Sequence, residues 1–226
     1  MNDSKNNHAE GDVDKIVKEQ FFPGDQTGRI CLEVGAARPD YLSIGALFRS
    51  LGWRVLSIEP NPEFYILHKK MGHEVFEYAC GDHDEDNVDF YVVDLHGDKY
   101  LDGEVSFESF SSLGIKKSYS TLREDLDTKK IKVNLRKLDT ILKTHSPEID
   151  HIDLLSVDVE GWEIEVMRGL SVRKYKPQVA IIENLFNEQE YSRYMKNIGY
   201  TLWRQIPPND VYIREGFVDR IKGKLL

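Results

Sequence analysis

The feature of this sequence that most constrains its fold is an alternation of short apolar runs with segments of helical spacing. The runs at 30–34, 54–59 and 152–158 are rich in branched aliphatic residues, as buried strands are. Between such runs lie helical segments, and the one at 61–72 has an N-cap asparagine, a proline in its first turn and a terminal glycine. Strands that alternate with helices form a parallel sheet covered on both faces. The sequence therefore predicts an α/β fold with a mostly parallel sheet flanked by helices.

Both ends of the chain and one internal segment depart from this alternation. Residues 1–28 are predicted to form an N-terminal arm, disordered to about residue 11, and a short helix. Residues 29–226 are predicted to form one domain, in which the polar segment at about 95–130 is an inserted loop or lid. Near the C-terminus, two strand-like segments flank "PPN", which predicts an antiparallel hairpin at one edge of the sheet.

Charge and composition narrow the classes of partner. A formal net charge of −9 argues against nucleic acid, because binding to phosphates requires a basic face. No apolar run approaches the roughly 20 residues of a membrane helix, so we expect no membrane partner. The polar N-terminus and two cysteines without metal-ligand spacing predict a cytoplasmic protein. The sequence does not indicate an oligomeric state.

Carboxylates follow the predicted strands at the points where the strands end. The residues concerned are Glu33, Glu59, Asp82, Asp158, Glu160 and Glu183. The carboxyl ends of parallel strands share one rim of the sheet, and ligands bind there at the topological switch point. Because carboxylates are costly to desolvate, we expect these acids to surround a ligand that is cationic or rich in hydroxyls.

The loop after the first strand, "GAARPDYLS", distinguishes between kinds of nucleotide ligand. Gly35 permits a tight turn and a close approach by the ligand. A dinucleotide site requires G-x-G-x-x-G, whereas this loop has one glycine, then Pro39 and Asp40, which disfavours a nicotinamide-dependent oxidoreductase. An adenosine that carries a positive sulfonium suits a rim of carboxylates better, so we predict S-adenosyl-L-methionine as the cofactor.

Two of the acids have specific predicted contacts. Glu59 stands where an acid binds two ribose hydroxyls in nucleoside-binding folds; the alternative is an acid favoured by a helix dipole. Asp82 is placed to accept a hydrogen bond from the adenine amine; the alternative is a turn formed by "GDHD".

Several motifs, taken in order, resemble the FkbM family of S-adenosylmethionine-dependent methyltransferases. They are "LEVGA", "SIEPNP", "ACGD", "VNLRKLDTIL" and "IDLLSVDVEGWEIEVMRGL" followed by "VAIIEN", and they extend from about residue 30 to about residue 215. The resemblance implies a class I methyltransferase fold, which is Rossmann-like, and O-methylation, often of a sugar or polyketide hydroxyl.

The resemblance also implies a set of cofactor-binding residues. They are Glu33, Gly35 and Ala36 in the first loop, Glu59 and Pro60 after the second strand, Cys80, Gly81 and Asp82 after the third, Ser111 in a serine-rich piece, and Asp158. Two positions depart from the family pattern. Ser156 stands where the family often has a lysine, and Ala37 stands where it often has an asparagine.

The predicted catalytic residues are Asp158, Glu160 and Glu183. Asp158 is expected to face both the methylthio group and an acceptor hydroxyl, from which it would remove the proton. Glu160 and Glu183 either share this task or hold a divalent metal with Asp158; a metal is possible but not favoured. For Glu160, helix capping is an alternative.

These roles predict an O-methyltransferase that acts on a small-molecule or carbohydrate acceptor, at a hydroxyl of a sugar or glycosylated metabolite. The alternative is a non-catalytic domain that binds S-adenosylmethionine or serves as a scaffold.

Overall fold

The structure is a computed structural model that describes residues 9–24, 27–93, 99–100, 105–106, 113 and 128–217. Its helices are α1 (Val13–Phe21), α2 (Ile44–Ser50), α3 (Pro62–Lys70), α4 (Leu138–His145), α5 (Glu163–Arg168), α6 (Val172–Tyr175) and α7 (Gln189–Asn197). Its strands are β1 (Ile30–Val34), β2 (Arg54–Ile58), β3 (Glu74–Phe76), β4 (Ala79–Cys80), β5 (Glu85–Val93), β6 (Lys99–Tyr100), β7 (Val105–Ser106), β8 (Thr128–Arg136), β9 (Leu154–Val157), β10 (Val179–Glu183), β11 (Tyr200–Ile206) and β12 (Asn209–Arg214). Among the described helices, none is long and apolar enough to span a membrane.

The main sheet has the strand order β11-β12-β10-β9-β1-β2-β3 within the described part of the chain. Strands β9, β10, β1, β2 and β3 run parallel, whereas β12 pairs antiparallel with β10 and with β11. The predicted fold class is confirmed, including the antiparallel C-terminal hairpin. The chain builds outward in one direction from β1 and in the other from β9, so the topological switch point lies between these two strands.

Both faces of the sheet are buried under helices. Successive side chains of a strand point to opposite faces, so Leu32 packs in one apolar cluster and Cys31 in the other. The first cluster includes Leu138 of α4, and the second includes Val17 of α1 and Phe48 of α2. Burial on both sides explains why the central strands are almost continuously apolar.

Residues 9–11 were expected to belong to a disordered arm, and that expectation is wrong. Ala9 is buried, and Glu10–Asp12 form a 3₁₀ turn that leads into α1. A Cβ atom built on Gly11 would lie 2.9 Å from Ile206, so this turn packs closely against the C-terminal hairpin. The contact joins segments far apart in the chain, which is why a local polar pattern did not reveal it.

A second, three-stranded sheet has the order β4-β8-β5. The chain leaves the main sheet after Phe76, and β4 pairs with β8 instead. Strands β5 and β8 form a long antiparallel pair. The predicted lid at 95–130 lies mostly outside the described residues.

Candidate active site

Two adjoining cavities open at the carboxyl ends of β1 and β9, at the topological switch point. They enclose about 820 Å³ and about 600 Å³ of empty space, which includes the open solvent at their mouths. The first is lined by acids that include Glu10, Asp158, Glu160 and Glu183. The second has mainly apolar walls together with Glu59. Asp158 lines both cavities and therefore stands between them.

Gly35 fixes the distance between the loops that follow β1 and β9. Its φ angle is 77°, in the left-handed region that favours glycine. A Cβ atom at this position would lie 1.7 Å from the carbonyl oxygen of Asp158, far inside van der Waals contact. The predicted need for glycine here thus has a structural cause, because only glycine lets the two backbones meet.

Glu33 lines the first cavity, but its carboxylate has several protein partners. It is buried, and its pKa is lowered: burial acts to raise the pKa, but the Arg49 guanidinium and the hydrogen bonds outweigh it. The donors are Ser43 Oγ at 2.9 Å, the Gly45 amide at 2.7 Å, Ser57 Oγ at 2.8 Å and Arg49 at 3.0 Å. These contacts hold the start of α2 against β1 and β2; the predicted cofactor contact of Glu33 stays a prediction.

Glu59 ends β2 and faces the second cavity from a buried position. One carboxylate oxygen accepts a hydrogen bond from the Ala37 amide at 2.8 Å and the other from the Asn61 amide at 2.7 Å. Burial raises the pKa of Glu59 to about 7. Each carboxylate oxygen can accept a second hydrogen bond, so the group can bind a vicinal diol without releasing the loop.

Asp158, Glu160 and Glu183 form a compact group of acids. One carboxylate oxygen from each lies within 4.8 Å of the others. Asp158 is exposed to solvent in the cavities. Its pKa is nevertheless raised to about 8, first because surrounding protein atoms desolvate the carboxylate and then because the charges of Glu163 and Glu10 repel it. A hydrogen bond with Glu183 opposes this rise. Acids this close do not all ionise together, so the group can accept a proton near neutral pH. Their oxygens also suit Mg²⁺ or Ca²⁺.

Glu163 supports the turn that carries these acids. It is buried, and one of its oxygens accepts hydrogen bonds from the amides of Val159 (3.0 Å) and Gly161 (2.9 Å). Its other oxygen accepts a hydrogen bond from the Tyr191 hydroxyl at 2.6 Å. Glu160 has a φ of 60°, a costly conformation for a residue with a side chain. Glu163 thus lies behind the turn and lines neither cavity.

The remaining predicted residues divide into three groups. Ala36 lines the first cavity, and Pro60 and Cys80 line the second. Gly81 and Asp82 line neither, and the exposed Asp82 pairs with His83 at 2.7 Å. Asp82 therefore does not share the two cavities with the other acids, and its predicted contact with the adenine amine stays a prediction. Ser111 lies outside the described residues.

We expect the free energy of unfolding of the wild type, taken relative to that of Glu59→Gln, to fall as the pH rises from 4.5 to 7. The pKa of Glu59 is raised from 4.5 to about 7, so the unfolded chain releases this proton first and the stabilising contribution is lost as the pH approaches 7. In that interval Glu59 contributes a slope of up to about 1.4 kcal/mol per pH unit. Asp158 acts in the same direction up to about pH 8, to a smaller extent because solvent screens it.

Urea unfolding at several pH values measures this dependence. His68 and His73, whose pKa values are lowered on folding, act in the opposite direction below about pH 7, but they are present in both proteins and cancel in the difference. The difference between the two free energies should therefore decrease from pH 4.5 to 7 and level off above pH 7. A difference that stays constant across this interval would contradict the expectation.

The family model for the methyltransferase FkbM domain matches residues 33–202. The crystal structure of Methyltransferase FkbM from Methylobacillus flagellatus KT is similar, with 14% sequence identity and a TM-score of 0.47. The similarity covers 82% of this chain and 43% of that chain, so this chain spans less than half the length of that protein. No curated protein matched the chain.

Proposed function

Because the chain belongs to the FkbM methyltransferase family, we propose that it is an S-adenosylmethionine-dependent O-methyltransferase. We propose as its acceptor a small molecule or carbohydrate, methylated at a hydroxyl of a sugar or glycosylated metabolite in the cytoplasm. The observation that carries this proposal is the position of Asp158 between an apolar cavity suited to a nucleoside and an acidic cavity suited to an acceptor.

The second cavity supports binding of the adenosine half of the cofactor. Its walls include Cys80, Phe90 and Trp162, which offer apolar surface to a base, and Glu59 offers acceptors to the ribose hydroxyls. Gly35 and Asp158, whose backbones meet, both line this cavity and the first one, so the two cavities adjoin at this contact. When bound, the cofactor would supply an electrophilic methyl group on a cationic sulfur.

Asp158 is the proposed general base. Methyl transfer to an alcohol requires that the hydroxyl lose its proton as the new bond forms, and a base works best when its pKa lies near the working pH. The pKa of about 8 suits this role, and a neighbouring sulfonium would lower it further toward neutrality. Glu183, which is hydrogen-bonded to Asp158, orients this carboxyl.

Replacement of Glu59 by alanine tests the cofactor assignment. We expect the affinity for S-adenosylhomocysteine to fall about 10- to 100-fold, because hydrogen bonds to a charged group each contribute about 1.5–3 kcal/mol. Isothermal titration calorimetry measures the change. The control is Glu63→Ala, which removes an exposed acid from the first turn of α3.

Two outcomes would contradict the cofactor assignment. One is an unchanged affinity in Glu59→Ala, which would remove the ribose contact. The other is thermal stabilisation of the wild type by a nicotinamide dinucleotide but not by S-adenosylhomocysteine.

A further inference from the structure

A buried histidine lies behind the loop that separates the two cavities. His68, on α3, is fully buried and lines neither cavity. Its Nε2 atom lies 3.1 Å from the carbonyl oxygen of Ala37, and its Nδ1 atom lies 3.0 Å from Nδ1 of His73. The proposed reaction does not use this pair of imidazoles directly, so their arrangement needs another explanation.

The contacts determine which nitrogen of His68 carries the proton. A carbonyl oxygen can only accept, so Nε2 must donate to Ala37. In the neutral imidazole Nδ1 is then an acceptor, and His73 donates to it. Burial lowers the pKa of His68 and lowers that of His73 to about 4, so both rings stay neutral near pH 7. His73 thus keeps His68 in the tautomer that binds Ala37.

Ala37 needs such support because its backbone is strained. Its φ of 43° lies in the left-handed region, which costs an alanine roughly 1–2 kcal/mol. Two hydrogen bonds flank the residue: its amide donates to Glu59 at 2.8 Å, and its carbonyl accepts from His68. Ala37 also lines both cavities. His68 and Glu59 together therefore hold the loop in the conformation that faces the cofactor.

We propose that His68 is a positioning residue for cofactor binding, which acts by holding Ala37 in its left-handed conformation against Glu59. Without the Nε2 donor, residue 37 would relax and its amide would leave Glu59. The carboxylate would then lose one of the two donors that orient it. This inference rests on the proposed function, because the ligand it concerns is the nucleoside placed at Glu59.

The first test compares substitutions at His68 by titration with S-adenosylhomocysteine. His68→Leu should bind about tenfold more weakly, since a hydrogen bond to a buried carbonyl is lost. His68→Gln, whose terminal amide can occupy the Nε2 position, should retain most of the affinity. If His68→Leu does not fold, His68→Asn replaces it, because its shorter amide also fails to reach Ala37.

The second test separates positioning from general stability. Glycine pays little for a positive φ, so Ala37→Gly should restore part of the affinity lost in the His68 variant. The loss caused by the His68 substitution should also shrink in a Glu59→Ala background. An unchanged affinity in His68→Leu or, where that variant does not fold, in His68→Asn overturns the role of His68, and so does the absence of rescue by Ala37→Gly. A wild type that does not bind S-adenosylhomocysteine overturns the proposed function instead.

Discussion

Gly35→Ala is expected to lower the free energy of unfolding by more than about 3 kcal/mol, a loss typical of severe backbone strain. A Cβ atom at this position would lie 1.7 Å from the carbonyl oxygen of Asp158 and 2.8 Å from its carbonyl carbon. Both are backbone atoms, so no side-chain rotation can relieve the clash. The loops after β1 and β9 would have to separate, which disrupts the boundary between the two cavities as well as the fold.

Gly52→Ala is the matched control for this prediction. Gly52 has a φ of 81°, close to the 77° of Gly35, but a Cβ atom there would meet nothing within 4 Å. Both substitutions place an alanine in the left-handed region, which destabilises the fold by roughly 1–2 kcal/mol. The difference between them in urea unfolding therefore isolates the clash with Asp158. Equal losses in the two variants would show that the two loops can separate at little cost.

Asp158→Asn is expected to lower kcat by about 10²- to 10⁴-fold, the usual contribution of a general base. The affinity for S-adenosylhomocysteine should change little, because asparagine keeps the shape of the side chain but cannot take up the proton. Turnover of the wild type should rise with pH in the neutral range as Asp158 ionises, and the variant should lose this dependence. Kinetics on an acceptor found by screening sugars and glycosylated metabolites measure both effects.

Asp82→Asn is the control for the Asp158 variant, since Asp82 also follows a strand but lines neither cavity. It should leave kcat unchanged. Unaltered turnover in Asp158→Asn would remove Asp158 from the catalytic role. Tight binding of S-adenosylhomocysteine without turnover on any acceptor would favour the alternative of a non-catalytic binding or scaffold domain.

The sequence predicted the sheet and much of its rim because both follow from local patterns. Apolar runs and helical spacing indicate parallel strands, and parallel strands place their following residues at one edge. For this reason we expected three residues that are far apart in the chain to be neighbours, namely Gly35, Glu59 and Asp158. They line the same pair of cavities.

The parts that sequence reasoning missed depend on contacts between distant segments. Glu10 reaches the first cavity because the N-terminal turn packs on the C-terminal hairpin, and no motif marks it. The hydrogen-bond donors to Glu33 come from α2 and β2. Its position at the end of a strand did not indicate that the protein itself supplies these donors. His68 appears in the sequence as an ordinary helix residue, and its importance arises only from the carbonyl it meets.

The contact between Gly35 and the Asp158 carbonyl also bears on how molecules reach the interior. The pairing of β1 with β9, which the Asp158 amide extends by its hydrogen bond to the Val34 carbonyl oxygen, holds these two main chains together. If the cavities widen to admit a larger ligand, the walls that move are those attached less directly to the main sheet. Those are the N-terminal turn beside Glu10 and the three-stranded sheet beside Phe90, which border opposite members of the cavity pair. A displacement of either wall would therefore change the shape of one cavity without changing the other.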